Sequence, residues 1–330
     1  MIIADLKSPL AEYFYEFVRM KRSIGYKYDD DKLYWLRILD RICFEYSGNK
    51  IALSKEIVEK WAEQRPNESI RNLQRRIRFS NEMAEFLIHR NVEAYIIPVA
   101  KSKFNSASSF VPYVFTHDQI KYFLLAADKH PPSRNNPNSN KMYSFLFRLL
   151  YCCGLRISEA LDLKYNDIDL KNNVLTVRNG KFGKDRIVPM SATLSGLCSE
   201  YTTLSKAYNP SNPHIFSNRF TNDSITSRSV YGYYRKILWE AGIPYGGRVR
   251  GPRLHDFRHT FAVHSLHNLA IAGVDVGSIL PVLAAYLGHD DLKITGKYLR
   301  LTSEVYPDII KQVENYSGNI IPEVRFYETD

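Results

Sequence analysis

With 330 residues, 45% of them hydrophobic and 13% aromatic, the chain has enough apolar side chains to fill two domain cores. Its 45 Lys and Arg against 35 Asp and Glu leave a net charge of +10, which points to a polyanionic partner, nucleic acid or an acidic membrane surface. Four cysteines without a CxxC pair exclude a disulfide framework, and no apolar run reaches membrane-spanning length.

The N-terminal stretch MIIADLKSPL has an early acidic residue and no long apolar run, so it does not read as a secretory signal; a cytoplasmic location is expected, with no membrane partner. Cys43, Cys152, Cys153 and Cys198 are expected as buried thiols in a reducing compartment. Residues 1–97 read as all-helical, because LAEYFYEFVRM, KLYWLRILDRICFEY, SKEIVEKWAEQ and NLQRRIRFSNEMAEFLIHR carry apolar residues at helical spacing. On the last of these, Leu73, Ile77, Ala84 and Leu87 share one face, and Arg71, Arg75 and Arg78 fall on the other. Those arginines are either the solvated face of a four-helix bundle or a row of phosphate contacts.

Residues 98–115 hold two prolines, a serine-rich patch and the lysines Lys101 and Lys103, and read as an interdomain linker. Thr116 is the expected N-cap of a helix running to about Ala127. KMYSFLFRLLYCCG follows as an apolar helix, and NNVLTVRNGKFGKDRIVPM alternates around a glycine-containing turn, as a β-hairpin does. The remainder reads as helical, including SITSRSVYGYYRKILWEAG, LHDFRHTFAVHSLHNLA, DVGSILPVLAAYLG and DLKITGKYLR. A second domain is thus expected over residues 116–302, followed by a tail at 303–330.

Four stretches hold residues suited to phosphate chemistry. In CCGLRISEAL, Arg156 follows a helix junction, with Glu159 three positions on as a natural ion-pair partner. In RLHDFRHTF, His255 and Arg258 share a helical face; His259 adds a second imidazole, but Asp256 stands where HExxH has its glutamate, which argues against zinc. NGKFGKDRIVPM sets Lys181 on a Gly-flanked turn and fails the phosphate-loop spacing. LGHDDLKITGKYLR places His289 nine residues before Tyr298, whose hydroxyl would need a proton acceptor and nearby cations to attack a phosphodiester.

Taken in order, Arg156, Lys181, His255, Arg258, His289 and Tyr298 resemble the active-site set of the tyrosine recombinases, the phage integrase family. The likeness rests on GLRISEAL, GKFGKDRIVP, LHDFRHTFA and LGHDDLKITGKYL, spans roughly residues 116–305, and departs at Phe182, where the family often has glycine. It implies a mainly α protein: an N-terminal four-helix, SAM-like core-binding domain joined to an α+β catalytic domain of the DNA breaking-rejoining fold, with a small antiparallel sheet.

It also implies a mechanism. Tyr298 would form a 3′-phosphotyrosyl bond while Arg156 and Arg258 clamp the phosphate, with Glu159 supporting Arg156. Lys181 would protonate the leaving 5′-oxygen, His255 would handle the tyrosine proton and His289 would hydrogen-bond the phosphate. Neither ATP, metal nor another cofactor is implied. The implied partners are double-stranded DNA with specific sites, further copies of the chain in a tetramer on DNA, and accessory DNA-bending proteins, in a mobile element of bacterial or phage origin. Arg228, Arg235 and Lys236 are candidate DNA contacts on a tyrosine-rich helix. Two other readings stay open: a type IB-like topoisomerase, and a catalytically silent DNA-binding accessory protein.

Overall fold

A computed structural model of the chain describes all residues except 1–5, 27, 29, 99–110, 135, 181–182, 219, 248–250, 290–291 and 306–330. Lys101, Lys103, Lys181 and most of the C-terminal tail therefore lie outside the described residues. The chain divides into two compact units, residues 1–109 and 110–330.

In the first unit the expected apolar spacings form α1 (Ala11–Ser23), α2 (Asp30–Tyr46), α3 (Lys55–Ala62) and α4 (Ile70–Ile88). Ser54 and Ser69 start the last two, each accepting a backbone N–H three residues on. Their inner faces meet in a core that includes Phe14, Phe17, Leu36, Trp61, Phe79 and Met83. A short parallel pairing of β1 (Ala52–Leu53) with β2 (Glu93–Ala94) ties the loop before α3 to the segment after α4. Arg71, Arg75 and Arg78 lie exposed on α4, and the Arg75 guanidinium sits 5.6 Å from the Trp35 ring centre. Arg76 on the same helix turns inward, 1% exposed. Its fork meets both Glu68 carboxylate oxygens at 2.7 Å and also donates to the carbonyls of Trp61 and Glu63, the complete pairing that a buried charge requires.

The second unit opens with α5 (His117–Lys129), whose N-terminus carries a reciprocal capping box between Thr116 and Gln119. Phe115 just before it is fully buried and stacks on Phe257, so this end of the stretch read as linker belongs to the core. The apolar α6 (Ser139–Cys152) is central, packing on α5, on α8 (Ala192–Tyr208) and on α10 (Asp256–Ile271). Cys43, Cys153 and Cys198 are buried, but Cys152 is exposed, against expectation. A helix turns its successive residues by about 100°, so an apolar run can bury Cys153 and leave its neighbour outside.

After the short α7 (Ile157–Asp162), the strands β3 (Ile168–Asp169), β4 (Val174–Val177) and β5 (Arg186–Pro189) form the small antiparallel sheet, with Val177 opposite Arg186. α9 (Ser227–Glu240) presents Arg228, Arg235 and Lys236 on its exposed side. α11 (Val276–Leu287) and α12 (Leu292–Val305) then close over α10 through Val263, Leu266, Leu283, Leu287 and Leu301. No helix among the described residues is long and apolar enough to cross a membrane.

Candidate active site

The site forms where the end of α6, the start of α7, strand β5, the first turn of α10 and the end of α11 meet. At its centre is the carboxylate of Glu159, 7% exposed. It accepts the Arg156 backbone N–H at 2.9 Å, as the third residue of a helix start often does, and the Arg156 guanidinium at 2.6 Å. Both Nη groups of Arg186 bind its two oxygens at 3.0 and 2.7 Å, and Arg258 Nη1 lies 3.9 Å away. Burial alone would raise this carboxyl; hydrogen bonds from Arg186 and Arg156 overcome it and hold the pKa at about 2.

The same three arginines also grip the end of α11. Arg186 Nε donates to the Tyr286 carbonyl at 2.9 Å, Arg258 Nη2 donates to the Leu287 carbonyl, and Arg156 Nη2 donates to the Gly288 carbonyl at 3.3 Å. The last carbonyls of a helix lack partners within it and carry the negative end of its dipole, so guanidinium groups belong there. Gly288 ends the helix in a left-handed conformation, φ +64°, and the chain turns directly into His289.

Arg258 is 1% exposed and donates from Nη1 to the Gly154 carbonyl at 2.8 Å. Burial, then the neighbouring charge of Arg156, lowers its pKa to about 10, which leaves it charged at neutral pH. Gly154 is itself constrained: its φ is +57°, and a β-carbon there would lie 2.5 Å from the Phe261 ring. His289 Nε2 stands 3.1 Å from Arg258 Nη2, and its Nδ1 is 3.0 Å from the buried Thr295 hydroxyl. An imidazole between these partners is fixed in orientation, next to the charge of Arg258.

Tyr298 comes from α12 and is 3% exposed, its ring among Leu266, Leu287 and Leu301. Burial raises the phenol's pKa, and the positive charges of Arg258 and Arg156 counter it. The hydroxyl lies 3.0 Å from His259 Nδ1. His259, which the sequence suggested only as a metal ligand, is thus the imidazole in contact with the phenol, whereas His255 sets its ring edge-to-face on His259, centres 4.7 Å apart. Burial and the charges of Arg258 and Arg156 lower the His255 pKa to about 4.

The structure therefore brings Arg156, Glu159, Arg258, His289 and Tyr298 into one cluster, with His255 beside it. It adds Arg186 and His259. Arg186 stood in plain sight within the hairpin stretch GKDRIVP, but strand periodicity carries no sign that an arginine will face inward. On α9, Arg235 lies 5.5 Å from the Tyr245 ring centre and Lys236 5.7 Å from that of Tyr233.

Residues 113–304, more than half of the chain, match the phage integrase family. The chain belongs to that family. Among the phage integrase relatives, the integrase/recombinase y4rB of Sinorhizobium fredii is 28% identical over 91% of this chain and 95% of its own length. The tyrosine recombinase XerA of Pyrococcus horikoshii is 29% identical over 62% of each chain. Among solved structures, the XerH site-specific recombinase bound to its difH substrate in a pre-cleavage complex aligns with a TM-score of 0.64 at 19% identity, covering 92% of this chain and 97% of that one. The Tn1549 transposon integrase in complex with circular intermediate DNA gives 0.61 at 18%, covering 88% and 95%. These likenesses bear out the mainly helical recombinase fold and the tyrosine-recombinase resemblance read from the motifs.

Proposed function

We propose that the chain cuts and rejoins double-stranded DNA at specific sites through a 3′-phosphotyrosyl intermediate. The observation that carries this reading is the convergence of Arg156 and Arg258 on Glu159, with His289 and the Tyr298 hydroxyl alongside. Three guanidinium groups around one carboxylate leave net positive charge, which suits a phosphate whose oxygens gain negative charge during attack.

In this reading Tyr298 Oη attacks phosphorus. Arg156 and Arg258 hold the non-bridging oxygens, and His289, fixed between Thr295 and Arg258, adds a hydrogen bond to them. Glu159 keeps both forks in register, and Arg186 ties Glu159 to the end of α11. Lys181 protonates the departing 5′-oxygen. His255, edge-to-face on His259, completes the set beside the phenol. The phosphotyrosyl bond conserves the energy of the broken diester, so religation needs no nucleotide, and the arginines supply the charge that a metal supplies in other phosphoryl-transfer sites.

The DNA-bound neighbours support DNA as substrate, and the transposon integrase among them supports service to a mobile element; in this reading several copies of the chain work on paired sites with accessory DNA-bending proteins. The exposed arginines Arg71, Arg75 and Arg78, with Arg228, Arg235, Lys236 and the lysines Lys101 and Lys103, are the proposed phosphate contacts outside the active site.

The test begins with DNA recovered covalently bound to the protein in cells, whose sequence supplies the target. A duplex of that sequence, nicked near the scissile bond, should trap a covalent adduct in the presence of EDTA, and Tyr298→Phe should abolish it. Two-site DNA should yield recombinant product; relaxation of supercoils without exchange would refute site-specific recombination, and an adduct that survives Tyr298→Phe would refute this nucleophile.

A further inference from the structure

We propose that His259 is a catalytic residue: its Nδ1 takes the Tyr298 proton as the phenol oxygen attacks phosphorus. The inference rests on the phosphotyrosyl reading above and assigns the proton acceptor within it. The hydrogen bond is direct, 3.0 Å from Nδ1 to Oη, with ring centres 5.6 Å apart. For Nδ1 to accept from the hydroxyl, the neutral ring carries its own proton on Nε2. Proton transfer needs this reach before any question of acidity arises. His255, by contrast, sits one helical turn earlier, with its ring edge-to-face on His259, and among the described residues the hydrogen bond to the phenol is made by His259.

The surroundings keep His259 unprotonated. His255 and Arg258 face it from its own helix, His289 from the turn after α11, and Tyr298 from α12. Burial first, then the charges of His255, Arg258 and His289, lowers its pKa to about 3, so at neutral pH the ring is unprotonated. A bound phosphate brings negative charge to Arg258 and thereby raises the affinity of the ring for a proton when the phenol must lose one. In the cleavage step the Tyr298 O–H bond breaks and its proton passes to His259 Nδ1. The Oη–P bond forms, the P–O5′ bond breaks, and the leaving oxygen takes a proton from Lys181, the acid of the parent reading. Religation runs the same transfers backwards, His259 returning its proton to the phenol.

The test uses the full chain and the nicked duplex described above, with adduct formation followed in single turnover from pH 6 to 9. In wild type the rate should be level above pH 7. His259→Asn should slow adduct formation at pH 7 by about a hundredfold or more, the usual scale of a lost general base. DNA affinity should stay unchanged. The residual rate should climb roughly tenfold per pH unit, because solution hydroxide must then remove the phenol proton. His255→Asn should keep the level profile even if it is slower. A His259→Asn rate within about threefold of wild type, or a slow but level profile, overturns the proposal. So does a His255→Asn profile that turns hydroxide-dependent, an outcome that decides the matter even if His259→Asn fails to fold. If wild type itself forms no Tyr298-dependent adduct, the parent reading falls instead.

Discussion

Glu159 shows how much a single side chain organises. It is the meeting point of Arg156, Arg186 and Arg258, and its pKa is held near 2 against an ordinary 4.5. A carboxyl depressed in the folded state contributes stability that is fully present above its unfolded pKa and is lost as pH falls through its folded one. The window therefore runs from about pH 4.5 down to 2, and the depression corresponds to about 3 kcal/mol. Glu159→Gln should lose about that much unfolding free energy at pH 7 and show a flatter acid limb below pH 4.5 in urea titrations. A second acid-labile group acts at higher pH. His264 is 3% exposed, bonded to Tyr151 and stacked on His117, and burial followed by the His117 charge lowers its pKa to about 4. An imidazole held neutral in the fold lets the unfolded chain take up protons first, so stability falls from about pH 6.5 to 4. His255 and His259, lowered to about 4 and about 3, share that limb, so His264→Phe should make it shallower without abolishing it and leave the fall below pH 4 that Glu159 governs, as read by denaturation midpoints at half-unit pH steps.

At the scale of elements, the end of α11 does for three arginines together what Glu159 does singly. Its carbonyls at Tyr286, Leu287 and Gly288 each take one guanidinium, so the helix terminus fixes the spacing of the cations that the proposed chemistry uses. Two glycines permit the geometry, and they should differ in how far they tolerate a side chain. At Gly288 a β-carbon meets only Arg186, at 3.4 Å or more, an ordinary contact, so Gly288→Ala should cost about 1–2 kcal/mol from its left-handed backbone alone. At Gly154 the same backbone cost is joined by a 2.5 Å clash with Phe261, and Gly154→Ala should lose clearly more, about 3 kcal/mol. Equal losses in urea unfolding would show that Phe261 yields freely.

The legibility of these elements from sequence follows from their physics. Helical apolar spacing, the Thr116 cap and the alternation about Gly180 are local signals, and the structure contains each of them. The pairing of His259 with Tyr298 spans 39 residues and that of Arg186 with Tyr286 spans 100, so no local pattern could announce either one. The motif order gathered Arg156, Arg258, His289 and Tyr298 because a known constellation supplied their three-dimensional relation. The same constellation gives the proton to His255, whereas the His259–Tyr298 contact is visible only in three dimensions.

For the molecule as a whole, the net charge of +10 narrows the class of partner without locating it, because charge summed over a chain does not say which arginines reach solvent. The first unit makes the distinction clear within a single helix. Arg76 is spent on Glu68 in the interior, whereas Arg71, Arg75 and Arg78 remain exposed on α4. If these three bind DNA phosphates, each releases condensed counterions on binding and adds roughly 0.9 to the slope of log affinity against log salt. Replacing all three with alanine should therefore lower that slope by about 2.7 and weaken binding evenly across DNA sequences. Stability should barely change, since exposed side chains away from the core contribute little. Arg76→Ala should do the reverse, with a large loss of stability and no direct change in slope, because its charge is already matched by Glu68. Filter binding from 50 to 300 mM KCl, set beside urea unfolding of the same variants, separates the two roles; an unchanged slope in the triple variant would mean that this face of α4 is solvated surface and that the phosphate contacts lie elsewhere.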